Sequence, residues 1–479
     1  MKLAHQLVVC LSIAAGALVS CTLLLDDDLA GGTDPPPIPD ATAPVDSPVV
    51  ESDGGFPAEI GNGTGRNGPL VVSGEQKVNA YAALQADVTA GSTSIETAGP
   101  TGWGADDVVL VWETTGLTLP ASTSEEPIDA KPLTVGRYEL VRLRAVTGSK
   151  LELARPLAHA FRAGAGQVVR VPEHTDVTIP PGAVLRADPW DGTRGGVVAL
   201  LATGKIQLDG VIDVDARGFR GGRGYLNGGL IGCLALEGKP RDGYGAKGEG
   251  LTPSGYGGLG DAGDSPGGRS VHTNGGGGGN CHNAGAGGGG NGGNGGRGGR
   301  AYYDLGGEDN GGYGGRAIVF TPATQLVLGG GGGSGDADDT PGETPGIGAN
   351  GGGAVLLRAS LILVNGNLTA RGAEAASIAS NGGGGGGAGG TIALFGTTRI
   401  ACSGTVAATG GKGGSVTLRK GMGPGGGGGG GFVSLQSPAI ECVPDVSPGE
   451  SGTTTPVDGG LGPSYGATNG IAGKVVTSP

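Results

Sequence analysis

The fold is decided by the stretch Gly352-Gly-Ala-Val-Leu-Leu-Arg-Ala359, which continues into Leu361-Ile-Leu-Val-Asn-Gly366 and Asn367-Leu-Thr-Ala370. Its aliphatic residues fall into three short runs separated by turn residues, a pattern typical of β-strands. A unit of three short strands cannot bury its own apolar face, so each unit needs a neighbour that covers it.

Close copies of this unit recur along the chain. They begin at Gly195, Gly389 and Gly430, a degenerate copy begins at Gly314, and an earlier copy without the glycine pair covers residues 168–187. Units that recur about every 40 residues indicate a repeat architecture, and parallel strands stack ~4.8 Å apart. We therefore expect an all-β chain whose main part is a short right-handed parallel β-helix.

The repeat also predicts the register of the strands. Leu200, Leu357, Leu394 and Leu435 each lie four residues after the second glycine of their unit. Stacked coils should therefore align these leucines in one buried ladder. The alternative fold is an antiparallel β-sandwich with an inserted glycine-rich bundle, similar to the glycine-rich domain of some receptor kinases.

Glycine runs lie between the strands. Glycine accounts for 111 of the 479 residues, with runs at 275–279, 287–290, 382–387 and 425–431. Glycine blocks without a strict G-X-Y period exclude collagen, but chains that lack Cβ atoms can still pack closely in the polyproline-II conformation. For the three C-terminal runs we therefore favour an ordered, polyglycine-II-like bundle over flexible linkers, although glycine loses the most conformational entropy on ordering.

The composition limits the class of protein. With only 3 Trp, 9 Tyr and 6 Phe, a core of large side chains, as in most sizeable enzymes, is not expected. The net charge of −13 argues against a nucleic-acid partner, because binding to phosphates depends on Lys and Arg. These limits fit an extended, repetitive, exported protein.

The N-terminus predicts export and lipidation. An apolar run from Leu7 to Val19 has the form of a secretory signal peptide, covering residues 1–20. The end of that run, Leu18-Val19-Ser20-Cys21, resembles the bacterial lipobox. The resemblance implies that Cys21 is acylated after cleavage and holds the protein on the outer membrane, surface-exposed or facing the periplasm. A transmembrane anchor is the alternative, since apolar residues continue through Leu25.

The rest of the chain divides by composition. Residues 21–60 are acidic and rich in proline, and we expect a disordered tether there. We expect a small β-barrel or sandwich at residues 61–167 and the β-helix at residues 168–445. Within the β-helix, residues 219–312 form a glycine-rich insertion, and residues 446–479 form a polar tail.

The remaining cysteines are predicted to pair. Cys402 and Cys442 each follow an isoleucine at the same point of adjacent repeats, so they should lie ~4.8 Å apart at Cα, within disulfide range. The cell envelope permits such bonds. Cys233 and Cys281 both lie in the insertion and would pair by elimination. Four free thiols are the alternative.

Few residues suggest catalysis. Asp213 and Asp215 share one face of a predicted strand, ~6.5–7 Å apart, which touches the carboxylate spacing of inverting glycosidases. Ile212 and Val214 alternate with them and should point inward. We therefore expect both carboxylates to face water, and we assign no catalytic residue.

Metal and cofactor signals are weak. None of the five histidines lies in an H-E-x-x-H motif. Asp336, Asp338 and Asp339 could hold Ca²⁺, but a solvated acidic loop is our expectation. No cofactor-binding or metal-binding residue is assigned.

A family resemblance comes from an ordered series of motifs, including Gly61-Asn-Gly-Thr-Gly-Arg-Asn-Gly-Pro-Leu70, Asp106-Asp-Val-Val-Leu-Val-Trp-Glu-Thr-Thr-Gly116, Trp190-Asp-Gly-Thr-Arg-Gly-Gly196 and Asn280-Cys-His-Asn283. This series resembles the glycine-rich surface lipoproteins of myxobacteria that are associated with adventurous gliding motility. The resemblance covers roughly residues 60 to 420. It implies a location at the cell surface and a link to gliding, and it brings no catalytic residues.

The sequence thus predicts a cell-surface lipoprotein with a structural or adhesive role rather than an enzyme. Its expected partners are outer-membrane lipid through Cys21 and a surface polysaccharide or envelope protein, with no nucleic acid. The alternative is a polysaccharide-acting enzyme, a glycan lyase or hydrolase, on the same β-helix.

Overall fold

Parallel strands stacked in register form the spine of the molecule. The computed structural model describes residues 51–52, 56–57, 59–224, 235–238, 244–252, 267–280, 282–302, 310–337, 345–456 and 462–479. The regular elements of this part are strands, in chain order β1 Glu51–Ser52, β2 Phe56–Pro57, β3 Leu70–Val71, β4 Glu75–Gln76, β5 Ala80–Ala83, β6 Ser94–Glu96, β7 Val108–Glu113, β8 Ile128–Asp129, β9 Tyr138–Thr147, β10 Lys150–Leu153, β11 Gly166–Val171, β12 Glu173–His174, β13 Val177–Ile179, β14 Val184–Arg186, β15 Val197–Leu208, β16 Val211–Asp213, β17 Ile318–Val319, β18 Ala354–Val364, β19 Asn367–Thr369, β20 Thr391–Cys402, β21 Thr405–Ala407, β22 Phe432–Gln436, β23 Ile440–Glu441 and β24 Lys474–Ser478.

Two parallel sheets form the faces of the β-helix. The larger sheet has the strand order β24-β22-β20-β18-β15-β13-β3, and β12 and β23 also pair with β15 and β20. The smaller sheet has the order β21-β19-β16-β14-β4. The neighbouring strands in both sheets are parallel. This pairing confirms the predicted parallel β-helix and excludes the sandwich alternative for the repeat.

The leucine ladder is confirmed. Leu200 pairs with Leu357, Leu357 with Leu394, and Leu394 with Leu435. All four side chains are fully buried in one core of Val, Ile, Leu and Ala. Burying a leucine side chain stabilises a fold by roughly 1.5–3 kcal/mol relative to leaving it exposed, so the ladder is a major source of stability for the stack.

The stack differs from the repeat at three places. β3 and β4 add strands before residue 168, and β24 adds one after residue 445. The degenerate copy at Gly314 does not form a coil, and the prediction was wrong there. Its strand β17 pairs with β8, outside both sheets of the β-helix. Pro322 follows soon after β17, and proline cannot donate the hydrogen bonds that a longer ladder strand would need.

A six-stranded antiparallel sheet, ordered β5-β11-β7-β9-β10-β6, accompanies the spine. Its strand β7 is buried on both faces: Val109 and Val111 face one core, while Leu110 and Trp112 join a second core shared with β15 and β18. The indole N–H of Trp112 donates to the carbonyl of Leu326 at 3.1 Å. Residues 47–479 accordingly form one compact unit.

The glycine runs form an ordered bundle. Hydrogen bonds between neighbouring runs recur at every third residue. One such series has N–H groups donating to carbonyls at 2.8–2.9 Å in the pairs Gly383–Gly423, Gly386–Gly426 and Gly389–Gly429. A second has the pairs Gly382–Asp336, Gly385–Gly333 and Ala388–Gly330. A three-residue period is that of the polyproline-II helix, so the favoured polyglycine-II arrangement is confirmed.

The bundle also includes glycines of the long insertion. The N–H of Gly289 donates to the carbonyl of Gly386, and the carbonyl of Gly289 accepts from the N–H of Gly429, both at 2.9 Å. A Cβ atom on Gly289 would overlap the carbonyl oxygen of Gly330. Only glycine allows backbones to approach this closely from several sides.

Candidate functional site at the distal end of the glycine bundle

The glycine bundle has two unlike ends. At one end its runs lead straight into strands of the β-helix, as where Gly390 precedes β20. At ~3.1 Å per residue, the start of that run at Gly382 lies roughly 25 Å from β20 along the chain. We call this far end the distal end, and we define it by Asn280, His282, Asn283, Tyr302, Asp336, Asn381 and Met422.

Backbone contacts bring four of these residues together from separate runs. The N–H of Asn283 donates to Oδ2 of Asp336 at 3.0 Å. The N–H of Asn381 donates to the Sδ atom of Met422 at 3.0 Å. Gly382, next to Asn381, donates its N–H to the carbonyl of Asp336 at 2.8 Å. These contacts bring polar side chains from separate turns together at the distal end.

The backbone is strained at the distal end. His282, Asn283 and Asn381 have positive φ angles of 28°, 65° and 72°. Residues with a Cβ atom rarely adopt such angles, and asparagine tolerates them better than most. Strained residues of this kind cluster at functional sites more often than elsewhere.

The centre of the distal end is buried and polar. Asn283, Asp336 and Asn381 are at most 1 % exposed. The expectation that Asp336 lies in a solvated loop was therefore wrong, because Asp336 is bonded to Asn283 and Gly382 of other runs and is buried. Within the described part of the chain, no three His, Cys, Asp or Glu side chains come together as metal ligands.

A ring pair lies at the rim of the distal end. The rings of His282 and Tyr302 stack with 5.3 Å between their centroids, and the N–H of Tyr302 donates to the carbonyl of His282 at 2.7 Å. Both side chains are partly exposed. The sequence placed His282 in a family motif but gave no reason to place Tyr302 beside it.

Asp213 and Asp215 hold the backbone of the β-helix rather than a reaction centre. Asp213 forms an ion pair with Arg186 at 3.0 Å and accepts the N–H of Asp215 at 2.9 Å. Asp215 accepts the N–H of Arg371, on the next coil, at 2.6 Å. Burial raises the pKa of Asp215, and the charge of Asp213 adds to that rise. The expectation that both carboxylates simply face water misses these contacts.

A buried lysine in the insertion was missed by the sequence analysis. The ammonium of Lys247 donates to the carbonyls of Leu236 and Gly268 at 3.1 and 3.0 Å and forms an ion pair with Glu237 at 3.1 Å. Burial lowers the pKa of Lys247 to about 8, against the opposing charge of Glu237. The nearby hydroxyl of Ser270 lies 2.9 Å away but is fully buried. These contacts occupy the donors of the ammonium, so Lys247 joins two segments of the insertion.

One predicted disulfide lies in the described part of the chain. Cys402 and Cys442 are bonded, with 4.7 Å between their Cα atoms, as the repeat spacing predicted. The other cysteines assigned from the sequence, Cys21, Cys233 and Cys281, lie outside the described residues, as do Asp338 and Asp339. Within the described ranges, no helix has the length and apolar character needed to cross a membrane.

Comparisons with known proteins give no family. No family model and no curated protein matches the chain. Among solved structures, it is similar to the Gp54 tailspike of Acinetobacter baumannii bacteriophage AP22 in complex with A. baumannii capsular saccharide, at 9 % identity and a TM-score of 0.17, over 86 % of this chain and 58 % of that one. It is also similar to the tailspike gp49 from Pseudomonas phage LKA1, at 11 % identity and a TM-score of 0.15, over 80 % of this chain and 63 % of that one. This chain thus spans about three fifths of these tailspikes, and scores this low identify neither a family nor a ligand.

Proposed function

We propose that this protein is a lipid-anchored protein of the cell surface with a structural or adhesive role, in which the glycine bundle holds its distal end away from the β-helix. The adhesive contact in this proposal is made by the distal end, and its ligand is a surface polysaccharide. A role in gliding motility is the biological setting suggested by the myxobacterial resemblance.

The observation that carries the proposal is the hydrogen bonding of the bundle. Runs such as 382–390 bond at every third residue to more than one neighbouring run. Most positions in the described runs are glycine and carry no side chain that could act as a reactive group. A densely bonded, extended element of this kind suits a rigid spacer.

The chemistry of the distal end supports a carbohydrate ligand. Sugars present hydroxyl groups to amides and carboxylates, and they present C–H faces to aromatic rings. His282 and Tyr302 supply partly exposed rings with polar edges. Tyr81, Tyr244 and Tyr313 are also partly exposed, so the distal end is distinguished by its stacked ring pair beside buried amide and carboxylate groups.

The anchor in this proposal is Cys21, joined to the folded part by the acidic segment up to residue 60. Acylation at Cys21 would hold the protein on the outer membrane, since two or more acyl chains give stable attachment. Cys21→Ala should move the protein from the membrane fraction to the soluble fraction and abolish lipid labelling. Unchanged fractionation with retained label would contradict the anchor.

The adhesive role is tested with the soluble Cys21→Ala chain and purified surface polysaccharide from the producing cells. Tyr302→Ala should weaken binding several-fold, up to about tenfold, because a ring contact is worth about 0.5–1.5 kcal/mol. Gln207→Ala, on the β-helix, is the matched control and should bind as the parent does. Equal binding by both variants would remove the distal end as the contact, and release of shortened glycan would favour the enzyme alternative.

A further inference from the structure

In the described part of the chain, the larger sheet of the β-helix has an open edge at β24. β24 is the last strand of the larger sheet and pairs only with β22 among the described strands. All five residues of β24 are exposed. An edge strand presents a row of unpaired backbone N–H and C=O groups, which are a template for another strand.

The apolar core is also open at this end. Val475 pairs with Val433 and Thr477 with Leu435, so both continue the inward-facing rows of the β-helix. Val433 and Leu435 are fully buried, whereas Val475 is 41 % exposed. Val443, two residues beyond β23, is 95 % exposed. Terminal units of stacked folds normally carry a polar cap for solubility, whereas β24 exposes Val475 and Val476 between the polar Lys474, Thr477 and Ser478.

We infer that β24 pairs with β24 of a second copy of this chain, antiparallel about a two-fold axis at Val476. This register places Lys474 opposite Ser478 of the other copy, and Val475 opposite Thr477. No like charges face each other, and the inward residues of both copies lie on the same face of the joined sheet. The two apolar cores then meet end to end, which covers the exposed part of Val475.

Among the described strands, the other end of the stack does not offer an equivalent edge. β3 has only two residues, Leu70–Val71, whereas β24 has five. Head-to-tail stacking would therefore leave most of β24 unpaired. A self-complementary patch instead gives a closed two-fold dimer, which is the commonest symmetry of oligomers. This inference does not depend on the proposed adhesive function.

The dimer is tested by sedimentation of the full chain carrying Cys21→Ala, which removes the lipid. The parent should sediment as a dimer. Val476→Lys places two like charges at the axis and should weaken dimerisation by roughly tenfold or more. Val71→Lys, an exposed valine at the opposite end of the stack, should leave the dimer intact. A monomeric parent, or a dimer that is insensitive to Val476→Lys but lost in Val71→Lys, would overturn the inference.

Cysteine cross-linking tests the register and does not depend on the lysine variant folding. Val476→Cys should form a covalent dimer on mild oxidation, because the residue lies opposite itself. Val475→Cys alone should not, whereas Val475→Cys combined with Thr477→Cys should. Cross-linking through Val475→Cys alone without cross-linking at 476 would contradict the proposed axis.

Discussion

The β-helix and the glycine bundle are alternating stretches of one chain, yet they are held together in opposite ways. In the β-helix, Leu394 is stacked between Leu357 and Leu435 and fully buried, so side chains carry the stability. In the bundle, Gly289 has no side chain and bonds through its backbone to two other runs. One repeat can therefore carry two kinds of stabilisation, and each kind should fail on a different substitution.

The two parts also differ in what each contact is worth. A buried leucine contributes roughly 1.5–3 kcal/mol, whereas a backbone hydrogen bond contributes about 1 kcal/mol net. Glycine also loses the most entropy when it is ordered. The bundle therefore depends on many bonds that form together, and the β-helix depends on a few rows of side chains.

The largest effect is expected from a charge in the leucine ladder. Leu394→Asp would bury an unpaired carboxylate between two leucines, at a cost of about 3–5 kcal/mol. The C-terminal coils should unfold and become sensitive to protease. Thermal unfolding and limited proteolysis measure both changes.

Leu418→Asp is the control for that variant, because Leu418 is 77 % exposed. It should leave the melting temperature nearly unchanged. If the Leu394→Asp protein is as stable and as protease-resistant as the control, buried rows of side chains are not what stabilises the β-helix.

The next largest effect is expected from the Cys402–Cys442 disulfide, which links two coils of the β-helix; no disulfide lies in the described part of the glycine bundle. Cys402 and Cys442 are 40 residues apart in sequence, and closing a loop of that length stabilises a protein by up to ~4 kcal/mol in the chain-entropy account. Cys402→Ser with Cys442→Ser should lower the melting temperature while the coils stay folded at room temperature. If the double variant melts at the parent temperature, stacking alone holds the last coil.

Much of the β-helix could be predicted because the same residue types recur at the same position of each repeat. The phase of Leu200, Leu357 and Leu394 gave the register, and the same phase gave the Cys402–Cys442 pair. β24 was missed because its five residues carry no leucine of that ladder and follow the repeat. The copy at Gly314 was wrongly predicted to form a coil, because the sequence of a short strand does not determine which strand it pairs with.

The distal end was harder to predict for a different reason. Asn283, Asp336 and Asn381 are distant in sequence, and each looks like an isolated polar residue in a glycine loop. They meet only because the runs bond with a three-residue period and fixed offsets. Those offsets are set by backbone hydrogen bonds, and they produce no pattern of side chains in the sequence from which the contacts could be predicted.

A smaller effect is expected from one added methyl group in the bundle. Gly289→Ala places a Cβ atom against the carbonyl oxygen of Gly330, and such overpacking typically costs about 1–3 kcal/mol. Gly104→Ala is the matched control, because a Cβ atom there meets nothing within 4 Å. Chemical denaturation should show a loss only for Gly289→Ala. Equal stability of the two variants would mean that the runs are looser than their hydrogen bonds indicate.

The smallest effect depends on pH and concerns the antiparallel sheet beside the β-helix, where Glu139 lies in β9. Burial alone would raise the pKa of Glu139, but hydrogen bonds from His159 and Ala158 outweigh it and hold that pKa below 4.5. Since the folded pKa is below the unfolded one, the stabilisation is present above about pH 4.5 and is lost as the pH falls through the folded pKa. Glu139→Gln should therefore lower stability at neutral pH and flatten its fall in acid. Glu450→Gln, which removes a carboxylate that is 77 % exposed, should change neither. A parent whose acid unfolding follows the Glu139→Gln curve would show that Glu139 does not contribute to the acid sensitivity.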